Sequence, residues 1–192
     1  VYVNDVGQNQ MWASQSLTLK KWDRLLNCGW LWSMGFSLPS ALGASFAPWI
    51  NRVISSNGDG GFQMNIQELE TISTRNLPIG IIVMNNQSLW MVREFQDTYF
   101  DGRNIGTVIG YSCPDLSLIA NAYRMPYFKI EQSKDMEWVF SEITEIEWPY
   151  ILEVMISNRA IVEPKMLYGN TLDKQSPPLP QEIEEKIQEL FI

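Results

Sequence analysis

The run Ile79-Gly80-Ile81-Ile82-Val83-Met84 carries no polar side chain, and this limits the folds open to the chain more than any other feature. A strand with one wet face alternates apolar and polar residues. One that is apolar at successive positions is buried on both faces, as parallel strands are when helices pack above and below them. Residues 1–4, 52–56, 78–85, 127–130 and 150–155 read as strands, with helical patterns over 38–46, 66–75, 116–123 and 134–143 between them. In 66–75, for example, Ile66, Leu69 and Ile72 share one face. The expected class is α/β, a doubly wound parallel sheet with helices on both faces, formed by residues 1–162. Residues 163–192 are expected as a tail. Pro164, Pro177, Pro178 and Pro180 predict an extended wrap over the core up to 180, and 181–191 reads as a closing amphipathic helix.

Composition excludes several chemistries. None of the 192 residues is histidine, so Ser-His-Asp and Cys-His catalysis, His-ligated zinc and an imidazole proton shuttle are all ruled out. Fourteen Lys and Arg against 22 Asp and Glu leave a net charge of −8, which disfavours binding to nucleic acid or to an anionic membrane. Cys28 and Cys113 fit neither a disulfide framework nor a CxxC site. They are expected as small buried hydrophobes in a reducing, cytoplasmic setting. No apolar run approaches the ~20 residues that span a bilayer, and no basic segment precedes an apolar one as in a secretion signal. The strand-like start at Val1, without Met, is what a domain taken from a longer protein would show.

Chemistry is concentrated where two apolar runs end, at Ile54-Ser55-Ser56-Asn57-Gly58-Asp59-Gly60-Gly61 and at Val83-Met84-Asn85-Asn86. In an open parallel sheet, ligands bind beyond the carboxyl ends of strands, where glycines allow close approach of the backbone. A carboxylate between glycines repels a bare phosphate. Asp59 therefore belongs in a phosphate site only with a cation between the two, and Mg²⁺ suits because it takes oxygens from one or two protein groups, phosphate and water. Asp59 and the side-chain oxygen of Asn86 are the candidate ligands. Positions 60 to 85 span 26 residues, room for a helix of roughly three turns and a return strand that sets the two ends side by side. The dinucleotide pattern starting at Gly58 fails at Gln63, and no Gly-Lys-Ser/Thr follows for a P-loop. A plain turn at 58–61 with a strand cap at 85–86 is the competing reading.

The Gly58-Asp59-Gly60 and Asn85-Asn86 pair resembles the cofactor motif of thiamine-diphosphate enzymes. The surrounding sequence resembles the C-terminal, diphosphate-binding domain of the acetolactate synthase-like family. Asp5-Val6-Gly7-Gln8-Asn9-Gln10-Met11-Trp12-Ala13 is similar to that family's DVGQHQMWA, Ser33-Met34-Gly35-Phe36-Ser37-Leu38-Pro39 to its TMGxGLP, and Asn85 to Val92 to its NNxxxGMV. The resemblance runs from about residue 1 to 160. It implies a thiamin diphosphate-binding fold, with Asp59, Asn86 and the backbone carbonyl of Ser88 as Mg²⁺ ligands. Gly7, Gln8, Asn9, Gly60 and Gly61 would line the diphosphate, with Val6, Gly58, Leu89 and Met91 beside them. Met34 would be the apolar wedge that bends the cofactor. The sequence departs from the family at Asn9, where the family has His, and at Trp32 and Trp90, where it has small residues. The two indoles would narrow the site.

The implied activity is decarboxylation and C–C bond formation on a 2-oxo acid such as pyruvate. The glutamate that activates the cofactor is expected on a separate pyrimidine-binding domain of the same or another chain, in a homo-oligomer, so no catalytic residue is assigned here. FAD would enter only through a middle domain outside this sequence. Two alternatives are a separate subunit of a split 2-oxo acid decarboxylase and a catalytically degenerate cofactor-binding or assembly module.

Overall fold

The computed structural model describes residues 1–171 and 174–189, which divide into two compact units, Val1–Asn158 and Arg159–Ile192. The first unit contains a six-stranded parallel sheet. Its strands are β1 (Tyr2–Asn4), β2 (Leu25–Asn27), β3 (Val53–Gly58), β4 (Ile79–Asn85), β5 (Tyr127–Ile130) and β6 (Tyr150–Met155), in the order β2-β1-β3-β4-β6-β5. Around it lie α1 (Gln8–Ser16), α2 (Ser37–Ser45), α3 (Asp59–Met64), α4 (Glu68–Thr74), α5 (Trp90–Tyr99), α6 (Leu116–Ala122) and α7 (Met136–Glu145).

The unbroken apolar character of β4 follows from two-sided burial. Ile79, Ile81 and Val83 join a core with Leu38 and Ala41 of α2, Phe62 of α3, Leu69 and Ile72 of α4, and Leu116 and Ala120 of α6. The intervening Ile82 packs against a second core built on Val139 and Ile143 of α7. β6 divides in the same way, sending Ile151 into the first core and Leu152 into the second. Each fully buried aliphatic or aromatic side chain contributes roughly 1.5–3 kcal/mol.

The five expected strands and four expected helices are present, with ends displaced by one or two residues. Four elements of this unit carry no such signal in the sequence. β2 is a half-exposed edge strand of three residues. α1 buries the polar Gln8, Asn9 and Gln10 in place of an apolar stripe. α3 starts at Asp59, inside what reads as a glycine turn, and α5 starts just beyond the Asn pair. Cys28 and Cys113 are free and half-buried, not enclosed in the core as expected. Among the described residues no helix is long and apolar enough to cross a membrane.

In the second unit β7 (Lys165–Met166) pairs antiparallel with β8 (Gln175–Ser176), ahead of α8 (Gln181–Glu189). The proline-bearing segment thus hydrogen-bonds to itself as a short ribbon, whereas the sequence suggests a continuous extended path. The expected helix end at Phe191 lies outside the described residues.

Strand register positions the chemistry. Asn4 lies opposite Ser56 and Gly58 opposite Met84, so the segments that follow β1, β3 and β4 emerge side by side. The same sheet explains Gly80. It lies opposite Tyr150, and a β-carbon there would stand 2.5 Å from the Tyr150 hydroxyl and 2.7 Å from the Trp148 ring. Gly80→Ala is therefore expected to destabilise the chain by about 1–3 kcal/mol, read from urea unfolding, through overpacking against Tyr150 and Trp148. An unchanged midpoint would show that Tyr150 and Trp148 move aside at no cost.

Candidate functional site

A cavity of about 230 Å³ opens at the carboxyl ends of β1, β3 and β4. Every position named above as a cofactor contact, from Val6 to Met91, lines it, and Met84 and Val92 join them. The two strand-end motifs are thus brought together with Met34 and the two tryptophans. The tryptophans differ in setting. Trp32 has a left-handed backbone (φ 49) and is 51% exposed, while Trp90, at the start of α5, is 6% exposed.

Asp59 opens α3 and is 2% exposed. The Tyr111 hydroxyl donates to its Oδ2 at 2.8 Å. Burial pushes the Asp59 carboxyl up to about 6, while the Tyr111 hydroxyl and the backbone N–H groups of Asn86 and Gly60 pull it back down. The Asn86 amide is held at both ends. Its Nδ2 donates to Gln8 Oε1 at 2.9 Å, and its Oδ1 accepts from the Ser88 N–H at 3.0 Å. Asn9 donates from Nδ2 to the carbonyls of Asp5 and Ser56, both at 3.1 Å, and its buried Oδ1 has no hydrogen-bond partner among the described residues.

Gly60 keeps the cavity open. A β-carbon there would lie 2.5 Å from Leu89 Cδ2 and 3.2 Å from the Met34 methyl, so any side chain would fill the space between α3 and the Met34 loop.

Two residues that shape the site have no assigned role in the sequence reading. Asp5 is fully buried directly after β1, and its carboxylate accepts from the N–H of Val6 at 2.7 Å and of Gly35 at 2.9 Å. Burial raises its carboxyl to about 6, against the lowering effect of the N–H groups of Val6, Gly35, Phe36 and Ser37. An aspartate at the end of a buried strand is the signal that marks it. Tyr111 comes from an irregular loop and has no motif around it.

The oxygens gathered here comprise a carboxylate, a side-chain amide and adjacent backbone carbonyls, a hard donor set of the kind Mg²⁺ takes while keeping positions for phosphate and water. The nearby thiol of Cys113 offers no soft alternative. Burial and the negative charges of Asp59 and Glu153 push it up to about 12. The residues present fit a divalent cation and a bound diphosphate.

Residues 5–154 match the C-terminal TPP-binding domain of thiamine pyrophosphate enzymes. The chain is 35% identical over 174 residues to the chloroplastic acetolactate synthase of Arabidopsis thaliana, covering 88% of this chain and 26% of that protein. It is 37% identical over 169 residues to the acetolactate synthase large subunit of Lactococcus lactis, covering 88% and 29%. With the acetolactate synthase isozyme 2 large subunit of Escherichia coli it shares 35% over 164 residues, covering 85% and 30%. The chain thus spans less than a third of the length of these curated relatives.

The raised carboxyl of Asp59 has a stability consequence. Its ordinary value of 3.8 applies to the unfolded chain and about 6 to the folded one, so the folded state favours the protonated form. The stability it contributes is full below pH 4 and is lost as pH rises through 6. Without divalent cation, Asp59→Asn is expected to be more stable than the parent at pH 7 by about 1–3 kcal/mol, with the advantage fading by pH 4. Urea unfolding at both pH values checks this. A parent more stable than the variant at pH 7, or a difference that ignores pH, would contradict it.

Proposed function

The chain belongs to the thiamine pyrophosphate enzymes through their C-terminal TPP-binding domain, and from that premise we propose that it holds thiamine diphosphate through Mg²⁺ in an acetolactate synthase-like reaction on a 2-oxo acid such as pyruvate. The observation that carries this reading is the buried Asp59 carboxylate beside Asn86 and Ser88, in a cavity kept open by Gly60. When bound, thiamine diphosphate supplies the carbanion stabilisation that decarboxylation and C–C bond formation need. The residues of this chain bind and orient it. Asp59, the Asn86 side-chain oxygen and the Ser88 carbonyl hold the cation, and Gly7, Gln8, Asn9 and Gly61 line the diphosphate. Met34 would be the apolar wedge against the cofactor, and Trp90 and Trp32, which line the same cavity, would restrict the room left for substrate.

Trp30 and Leu31 are almost fully exposed next to Trp32, an apolar edge suited to a pyrimidine-binding domain of the same or another chain and to a homo-oligomer. That domain would carry the activating glutamate, and any FAD would sit in a middle domain. The free thiols of Cys28 and Cys113 suit a reducing compartment such as the cytoplasm.

Cofactor and metal binding must be linked, because without a cation the Asp59 carboxylate repels the diphosphate. In calorimetric titration, EDTA and Asp59→Ala are each expected to weaken thiamine diphosphate binding by about 100-fold, equivalent to ~3 kcal/mol. Equal binding with EDTA present, or by folded Asp59→Ala, would return the turn-and-cap reading of 58–61 and 85–86 to the lead. A second expectation concerns turnover. With thiamine diphosphate and Mg²⁺ supplied, this chain alone should release no carbon dioxide from pyruvate, and release proportional to its concentration would refute the placement of the activating group elsewhere.

A further inference from the structure

On the far side of Asn86 from the cavity, the same turn is tied to a buried acid that no motif marks. Glu153 lies in the middle of β6, opposite Val83 of β4 and Lys129 of β5, and is 5% exposed. The Asn85 Nδ2 donates to its Oε1 at 2.6 Å, and the Tyr127 hydroxyl donates to its Oε2. Because a carboxylate only accepts, it fixes the Asn85 amide with its nitrogen toward β6 and its oxygen toward the turn. That oxygen accepts from the Gln87 N–H at 3.1 Å and from Gln87 Nε2 at 2.8 Å. Gln87 is held in the left-handed region at φ 55, and the chain then brings the Ser88 N–H onto Asn86 Oδ1.

Two side chains that alternate across the end of β4 thus build consecutive turns, one anchored on Glu153 and the other facing the cavity. We propose that Glu153 is a positioning residue for the cation-binding turn 85–88, acting through Asn85. The proposal rests on the reading that Asn86 and Ser88 hold the cation. Groups behind metal ligands set ligand orientation and typically change metal affinity on the order of 10- to 100-fold when removed.

The test measures the Mg²⁺ concentration that half-saturates thiamine diphosphate binding, together with amide hydrogen exchange at Gln87 without cofactor. Glu153→Leu and Asn85→Ala should each raise the Mg²⁺ requirement on the order of 10- to 100-fold, and the double variant should be no worse than either alone. Gln87 exchange should quicken roughly fivefold, the worth of one ordinary hydrogen bond. Glu153→Gln keeps an oxygen toward Asn85, while its amide nitrogen can donate to the Tyr127 hydroxyl, so it should restore near-parental values. Tyr127→Phe, which removes a donor to Glu153 without touching the turn, should also leave the Mg²⁺ requirement near the parental value.

The proposal is overturned if folded Glu153→Leu keeps the parental Mg²⁺ requirement and Gln87 exchange, if the two single effects add, or if Tyr127→Phe loses as much as Glu153→Leu. Should Glu153→Leu not fold, parental values in Asn85→Ala overturn it and a raised Mg²⁺ requirement there supports it. If the parent shows no Mg²⁺-dependent binding, the cofactor reading itself has failed, and the exchange measurements alone decide whether Glu153 orders the turn.

Discussion

Three segments of the cavity wall meet at one buried carboxylate, that of Asp5. It accepts from the N–H of Val6 at the end of β1 and from the N–H of Gly35 beside Met34. It also lies so close to α3 that a β-carbon on Gly61 would fall 2.5 Å from Oδ2. These segments are far apart in sequence; Val3, Leu38 and Phe62 beside them share the apolar core, and the carboxylate adds a polar tie at the edge of that core. Backbone N–H groups offset much of the cost of taking that charge out of water, and the remainder appears as a carboxyl raised to about 6.

The same economy recurs along the carboxyl edge of the sheet. Asp59 is answered by the Tyr111 hydroxyl, and Glu153 by the Asn85 amide and the Tyr127 hydroxyl. All of these are neutral donors. None of them cancels the charge of the acid it contacts. A buried acid already neutralised by Arg or Lys would have to exchange one charge for another, whereas Asp59 is met by neutral donors, the Tyr111 hydroxyl and backbone N–H groups. The buried Asp59 carboxylate is therefore costly to the fold when charged, and under the proposed function a bound cation would offset that cost, as with residues kept for binding.

How much of this was legible in the sequence depends on the kind of signal each part carries. Unbroken apolar runs such as 79–84 disclose a sheet covered on both faces, because burial of aliphatic side chains is what forms it. The glycine–aspartate and paired-asparagine segments disclose a shared edge, because their spacing matches one crossover. α1 escapes such reading because its buried residues Gln8, Asn9 and Gln10 are polar, with Gln8 and Asn9 hydrogen-bonded to other segments, and polar burial has no period to detect. β2 is too short and too exposed to stand out. Tyr111 and Glu153 each act through partners tens of residues away, so their importance exists only in three dimensions, while Asp5 is marked in sequence only by its place at the end of a buried strand. The tail shows the opposite case. Its prolines argue against a helix over 163–180, and none forms there among the described residues, yet they do not reveal that the segment pairs with itself through Lys165 and Ser176.

The central claim is that a divalent cation sits between Asp59, Asn86 and the diphosphate of the cofactor. The most direct measurement is a crystal structure of the chain grown with thiamine diphosphate and Mn²⁺ in place of Mg²⁺, with anomalous scattering used to locate the metal. The account predicts one strong peak in the cavity, about 2.1 Å from oxygens of Asp59, Asn86 and the Ser88 carbonyl and bridged to the diphosphate. A bound cofactor with no metal at Asp59, or a metal held elsewhere, would contradict it.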